Sequence, residues 1–312
     1  MELKKMIAPF NASKMLDHLE QIFGVEERLL EEVQLNGSEA EFNKDIVYLA
    51  YEGDTLLGTI HATIPHKTPY LAGLSAMFTT EAARGKGLGK ILFGKIVEEV
   101  SQQGARLTVL GTSNPIAAKL YAQFGFGFHP GSHVMTRFSQ GNMVDFTHDY
   151  YQSIQGTATV SRGTQAMRIP IIPLVLQTEY GLILDINTAI LNSSTVTQRS
   201  CMGLFPRYLA LRERGGDYFS AFDEAGTLGA VGSVAPQPDG TFRADFFAFP
   251  AFESVIPEMI RKMEEAFGKV YFEIAVCDQA KAQLLQKNGF HPTSESHFTV
   301  GNFTVQTIKY SR

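Results

Sequence analysis

Apolar positions along this chain follow two rhythms, a stripe every three to four residues and short β-branched runs, and their alternation predicts a mixed α/β fold. In residues 88–103, Leu88, Ile91, Leu92, Ile96 and Val100 recur at helical spacing while Lys90, Glu98 and Glu99 take polar positions, so the segment reads as an amphipathic helix whose stripe is core. Segments 46–52, 56–64, 71–79 and 105–111 are rich in β-branched and aromatic residues and are parted by turn signals such as Glu52-Gly53-Asp54, which predicts strands. A first strand stopped at Pro9, helices over about 13–34 and 115–124, and strands near 128–138 complete the set.

The pattern then recurs. Met6-Ile7-Ala8-Pro9-Phe10 resembles Pro170-Ile171-Ile172-Pro173-Leu174, and both read as a short strand ended by proline. Ala50-Tyr51-Glu52 running to Leu57-Gly58 parallels Ala221-Phe222-Asp223 running to Leu228-Gly229, each as a hairpin. Segment 105–111 matches 269–275, and Phe124-Gly125-Phe126 matches Asn288-Gly289-Phe290, both about 164 residues on. Two domains of one fold follow, over 1–140 and 166–312. The stretch 141–165, with Gly, Ser, Thr and Gln and little periodicity, is the expected connector.

Length and composition agree. A chain of 312 residues exceeds what one core usually organises, and 44% hydrophobic residues suffice for two. Cys201 and Cys277 stand far apart with no CxxC or Cys/His cluster, which argues against disulfides or a structural zinc site and fits a reducing cytoplasm. No apolar run approaches 18 residues and the N-terminus has no apolar core of signal-peptide length, so a soluble, unexported protein is expected, without membrane partners. A net charge of −5 offers no footprint for nucleic acid and suits a cationic substrate such as an amine.

The chemistry concentrates in Met77-Phe78-Thr79-Thr80-Glu81-Ala82-Ala83-Arg84-Gly85-Lys86-Gly87-Leu88-Gly89-Lys90, which joins a strand to a helix. Three glycines leave main-chain N–H groups uncovered where the helix begins, so donors and the positive end of the helix dipole converge on one point. Arg84, Lys86 and Lys90 add the charge that a diphosphate requires. A dinucleotide GxGxxG would need glycine at Lys90, and a GxxxxGK loop from Gly89 would put Ile96 at the magnesium-binding hydroxyl position, so neither applies. About 25 residues on, Asn114-Pro115-Ile116-Ala117-Ala118-Lys119-Leu120-Tyr121-Ala122-Gln123-Phe124-Gly125-Phe126 reads as a helix with Ser113 or Asn114 as cap, Pro115 in its first turn and Gly125 as a left-handed end.

Arg84, Gly87 and Gly89 in Arg-x-x-Gly-x-Gly spacing, followed by this Asn-to-Gly-Phe helix, resemble the two signatures of the GNAT acyltransferase superfamily. The resemblance implies two tandem α/β (α+β) domains, each with a mixed, mostly antiparallel central sheet flanked by helices. It implies acetyl-CoA as cofactor, with the amides of Gly85, Lys86, Gly87, Leu88, Gly89 and Lys90 on its pyrophosphate and Arg84 at the mouth of the loop. Met77, Phe78 and Thr79 would offer strand backbone to pantetheine and the thioester carbonyl, and Asn114 would contact the pantetheine arm. Tyr121 would act as general acid toward the thiolate, and the acceptor would be a primary amine of a small molecule.

A general base is not legible. Segment 71–79 carries no acid, 105–111 offers Thr108 and Val109 instead, and Glu52, His61 and His66 read as surface or turn residues. A water relay or capture of a neutral amine would serve instead. A displacement of 164 sets Ala248-Phe249-Pro250-Ala251-Phe252-Glu253 against the glycine loop, Leu285 against Tyr121 and Asp278 against Asn114. The second copy keeps folding features and loses chemical ones, so it reads as a degenerate domain that closes the substrate cleft. A sensor that binds acyl-CoA without turnover, or an aminoacyl transferase of the peptidoglycan type, is the competing reading.

Overall fold

The computed structural model describes residues 1–152, 157–177, 181–193 and 201–312, and these divide into two units. The first spans Met1–Phe146 and adds Cys201 and Met202; the second holds the rest. Part of the expected connector, 153–156, lies outside the described residues.

The first unit runs β1 (Glu2–Ile7), α1 (Ser13–Phe23), α2 (Val25–Leu35), β2 (Asn43–Glu52), β3 (Thr55–Pro65), β4 (Leu71–Thr79), α3 (Leu88–Gln102), β5 (Leu107–Gly111), α4 (Pro115–Ala122), β6 (Gly127–Phe128) and β7 (Val134–Phe138). Its seven strands form one sheet in the order β1-β2-β3-β4-β5-β7-β6. Every pairing is antiparallel except β4 with β5. One face packs Ile46, Ile60, Ala62 and Leu74 against Leu88, Leu92, Phe93 and Ile96 of α3. The other face packs Val47, Leu49 and Phe78 with Met15, Leu16 and Leu19 of α1 and Leu35 of α2. The helix expected over 13–34 is two helices, because Gly24 adopts φ +95° and its N–H closes α1 on the Glu20 carbonyl. In α3 the stripe is core at Leu88, Leu92, Ile96 and Val100. Ile91 is instead exposed, and Glu99 is buried where Lys5 (2.6 Å) and the Tyr48 hydroxyl (3.1 Å) satisfy it.

Helix α5 (Met143–Gln152) spans the division between the units. The second unit continues with β8 (Thr159–Arg162), α6 (Ile171–Leu176), β9 (Ile183–Asp185), β10 (Ile190–Asn192), α7 (Leu204–Glu213), β11 (Asp217–Phe222), β12 (Leu228–Pro236), β13 (Phe242–Ala248), α8 (Ile256–Phe267), β14 (Val270–Ala275), α9 (Gln279–Lys287), β15 (His291–Val300) and β16 (Phe303–Ser311). Its large sheet, β8-β11-β12-β13-β14-β16-β15, repeats the first unit's order and orientations, with β13–β14 as its parallel pair. Even the irregularities coincide: the β2–β3 register shifts between Ala50 and Tyr51, and the β11–β12 register between Ala221 and Phe222. The repeat expected from the sequence is therefore one topology built twice.

Two details differ from the sequence pattern. Residues 170–174 do not form the opening strand of the second copy; they enter α6, all six residues of which are buried. A short apolar run carries no periodicity to separate strand from buried helix, and Pro173 falls in the first turn, where its missing N–H costs no bond. The opening strand is instead β8, inside 141–165.

Candidate acyl-CoA site

The first turn of α3 begins on Gly87 at φ +79° with no side-chain cap and no acid, so its leading N–H groups face outward. Gly85 is also left-handed at φ +73°, and nothing lies within 4 Å of where a Cβ would stand on either glycine. Arg84, Lys86 and Lys90 are exposed and form no ion pair among the described residues. Only Leu88 of the loop turns inward, at 3% exposure. The result is an open, cationic helix entrance, the arrangement that a diphosphate fits through main-chain hydrogen bonds and the helix dipole.

Strand β4 brings Met77, Phe78 and Thr79 beside this entrance. Its parallel pairing with β5 covers only Leu71, Ala72 and Gly73, although β4 runs on to Thr79 and β5 to Gly111. The β4 edge beyond Gly73 is thus released from β5. On the other edge the β3 register shifts between the Ser75–His61 and Phe78–Thr59 pairs, where Ala76 sits at φ +49° and its carbonyl accepts the Thr59 hydroxyl at 2.6 Å. Phe78 turns toward α1 and stacks on His18, with ring centroids 5.6 Å apart. A Cβ on Gly89 would meet the Met77 side chain at 3.5 Å and that of Thr79 at 3.9 Å, so glycine loop and strand are in contact.

Asn114 is the α4 cap: its side-chain oxygen accepts the N–H groups of Ile116 (2.9 Å) and Ala117 (3.3 Å), which leaves the amide NH2 for a ligand. Gly125, at φ +84°, ends the helical segment as expected. Tyr121 is 6% exposed and stacks on Phe93 of α3 at 4.4 Å, and burial raises its phenol to about 12. The hydroxyl therefore stays protonated through neutral pH.

Glu52 and His66 are exposed, but His61 is not a surface residue. It is fully buried on β3, with Nδ1 2.6 Å from Glu31 of α2 and Nε2 2.9 Å from Asp45 of β2. Asp45 also accepts the Thr63 hydroxyl at 2.8 Å, and Ser75 of β4 places its hydroxyl 3.2 Å from His61 Nδ1. Burial opposes the charge on His61, but the two carboxylates outweigh it and raise the imidazole to about 10. Glu31, Asp45 and Ser75 escaped the sequence reading because each stands in a different element. Only the alternation of β3, which sets His61 and Thr63 on one face with Thr59, hinted at a polar buried stripe.

The second unit differs at the corresponding places. Gly58 lies opposite Ala50 and Thr79, and Ala230 opposite Ala221 and Ala248, so Ala248 takes the position of Thr79. The local displacement is 169 rather than 164, and counting onward sets Glu253 against Arg84. The joining segment 249–255 has neither glycine nor cation, and Phe252 is buried there at 1% exposure. Ser75 corresponds to Asp245, whose carboxylate takes the Lys281 ammonium of α9 at 2.8 Å and the Ile186 N–H at 2.8 Å. Lys281 also donates to the Leu184 carbonyl at 3.0 Å. The second unit thus crosses its β13 edge with its own chain.

Residues 13–126 match the Acetyltransferase (GNAT) family. Among solved structures, a putative acetyltransferase from Acinetobacter baylyi overlaps at 17% identity and TM-score 0.38, covering 50% of this chain and 92% of that one. A putative acetyltransferase from Salmonella typhimurium with acetyl-CoA overlaps at 14% identity and TM-score 0.37, covering 50% and 94%. A phosphinothricin acetyltransferase from Sinorhizobium meliloti in complex with acetyl-CoA does so at 15% and 0.37, covering 50% and 88%. No curated protein matches the sequence. No helix among the described residues is long and apolar enough to cross a membrane. Over residues 13–126, the chain is thus similar to the acetyltransferases of the GNAT family.

Proposed function

We propose that the first unit transfers the acetyl group of acetyl-CoA to a primary amine of a small molecule. One observation carries the reading: an uncapped, cationic helix entrance lies in contact with a strand edge that is released from its neighbour beyond Gly73. Acetyl-CoA would bring an acyl carbon already activated as a thioester. The amides of Gly85, Lys86, Gly87, Leu88, Gly89 and Lys90 hold its diphosphate, with Arg84, Lys86 and Lys90 neutralising charge. Main-chain N–H groups along Met77, Phe78 and Thr79 polarise the carbonyl where negative charge grows. The free amide of Asn114 contacts the pantetheine arm. Tyr121 keeps its proton at neutral pH and yields it to the departing sulfur.

The second unit, with Glu253 in place of Arg84 and an occupied β13 edge, is assigned no acyl-CoA site. Calorimetric titration with acetyl-CoA, paired with thiol release against a panel of polyamines, amino acids, aminoglycosides and short peptides, tests the assignment. Binding together with amine-dependent thiol release is expected. Binding without thiol release would make the protein a sensor, and no binding would end the proposal.

A further inference from the structure

The buried His61 cluster has no part in holding acetyl-CoA as assigned above, yet it reaches the same opening. Four elements contribute to it: Glu31 from α2, Asp45 from β2, His61 from β3 and Ser75 from β4. Three of the four side chains are 5% exposed or less, while Ser75 is half-buried. Ser75 directly precedes Ala76, the left-handed residue of the bulge, within the stretch of β4 that β5 does not pair. It therefore connects the cluster to the edge where the acyl group would lie.

The charges of the cluster do not cancel. With both imidazole nitrogens against carboxylates, His61 is an imidazolium between two anions, which leaves one negative charge in excess. Asp45 Oδ2 is buried and takes no hydrogen bond among the described residues. Charged side chains on the elements packed against His61 are Glu26, Glu27, Arg28, Glu31 and Glu32 of α2 and Lys44, Asp45 and Glu52 of β2, of which Glu31 and Asp45 touch the ring; β4 adds no charge, and α1 packs buried Met15, Leu16 and Leu19 on this face of the sheet. Burial and the neighbouring Glu31 and Glu26 raise Glu27, so the surroundings favour uptake of a proton.

We propose that Ser75, His61 and Glu31 form a relay that removes the proton an acceptor amine must lose, with Glu31 as its final resting place. The inference rests on the acetyltransfer reading above. In the step, the amine N–H proton passes to Ser75 Oγ as the amine nitrogen forms its bond to the acyl carbon. His61 Nδ1 first yields its proton to Glu31 Oε2, which frees the nitrogen lone pair, and that lone pair then takes the Ser75 hydroxyl proton. His61 is an imidazolium before and after, Glu31 goes from carboxylate to carboxylic acid, and no electrons change hands. Ser75 is the group that touches the acceptor; His61 and Glu31 act through it and position it. Asp45 holds the far nitrogen and keeps the ring aligned.

The test compares full-length wild type with Glu31→Gln and Ser75→Ala, using the amine panel above across pH 6.5 to 10. Each variant is expected to lose on the order of 100-fold in turnover near pH 7. The deficit should shrink as pH rises and the free amine deprotonates in solution, while acetyl-CoA affinity stays within about twofold. A structural defect would lower activity equally at every pH. A second reading, 15N NMR of the histidine ring nitrogens, needs no acceptor: His61 should be doubly protonated at pH 8 in wild type and titrate at lower pH in Glu31→Gln.

Variants that match wild-type turnover and pH profile would overturn the relay, as would a neutral His61 ring at pH 8. Those results leave the acetyltransfer reading standing if wild type acetylates an amine. A wild type that releases no thiol with any amine defeats that reading and the relay with it.

Discussion

Replacing Tyr121 with Phe separates the chemical role of this residue from its packing role. The ring stacks on Phe93 at 4.4 Å and an interplanar angle of 21°, contacts that Phe preserves, so stability should change by less than about 1 kcal/mol. The removed hydroxyl is the proton source assigned to the leaving sulfur. General-acid groups contribute roughly 100- to 10,000-fold, and a tenfold loss already corresponds to about 1.4 kcal/mol of barrier. Turnover should therefore fall at least roughly tenfold, with little change in acetyl-CoA affinity. Tyr121→Leu, which installs the residue found at Leu285, should add the lost aromatic stack, worth about 0.5–1.5 kcal/mol, to the same kinetic defect. Thiol release at saturating donor and acceptor, with thermal melts of each variant, makes the comparison. Turnover within twofold of wild type in a stably folded Tyr121→Phe would remove the phenol from the mechanism.

Three further outcomes follow from named contacts. Arg84→Ala and Lys86→Ala should each weaken acetyl-CoA binding about three- to tenfold, with a smaller salt dependence, because exposed cations act on a diphosphate through screened attraction; calorimetry at two salt concentrations reads this. His61, raised from 6.5 to about 10 in the folded chain, contributes stability that is fully present below about pH 6.5 and is lost as pH rises toward and through 10. His61→Leu should cost roughly 3–5 kcal/mol near pH 7, since it strands two buried carboxylates, and its deficit should shrink at high pH in denaturant titrations. Gly229→Ala would place a methyl about 2.0 Å from the buried Phe252 ring and should destabilise the second unit by about 1–3 kcal/mol, read by urea unfolding.

Much of the architecture was legible because its signals are local. The bounds of β4, Leu71–Thr79, follow from an apolar run, and the start of α3 follows from three glycines ahead of a helical stripe. The duplication survived as hairpins with the same bulge, even though β12 and β13 slip by a few residues against the first copy. That slip explains why a constant displacement misplaced the counterpart of the glycine loop by five residues. The break at Gly24 was hidden within a continuous apolar pattern, and α6 because six buried residues in a row lack a period. The His61 cluster was invisible for a different reason. Glu31, Asp45 and Ser75 each look like ordinary polar positions until the sheet and α2 bring them within 3.2 Å of one ring.

Amide 15N–1H spectra of the full chain, recorded while coenzyme A is titrated in, test most directly whether main-chain nitrogens at the α3 entrance grip the diphosphate. The account predicts the largest saturable shifts at Gly85, Lys86, Gly87, Leu88, Gly89 and Lys90, with residues 249–255 unmoved. Saturable binding that leaves those six amides in place would contradict it.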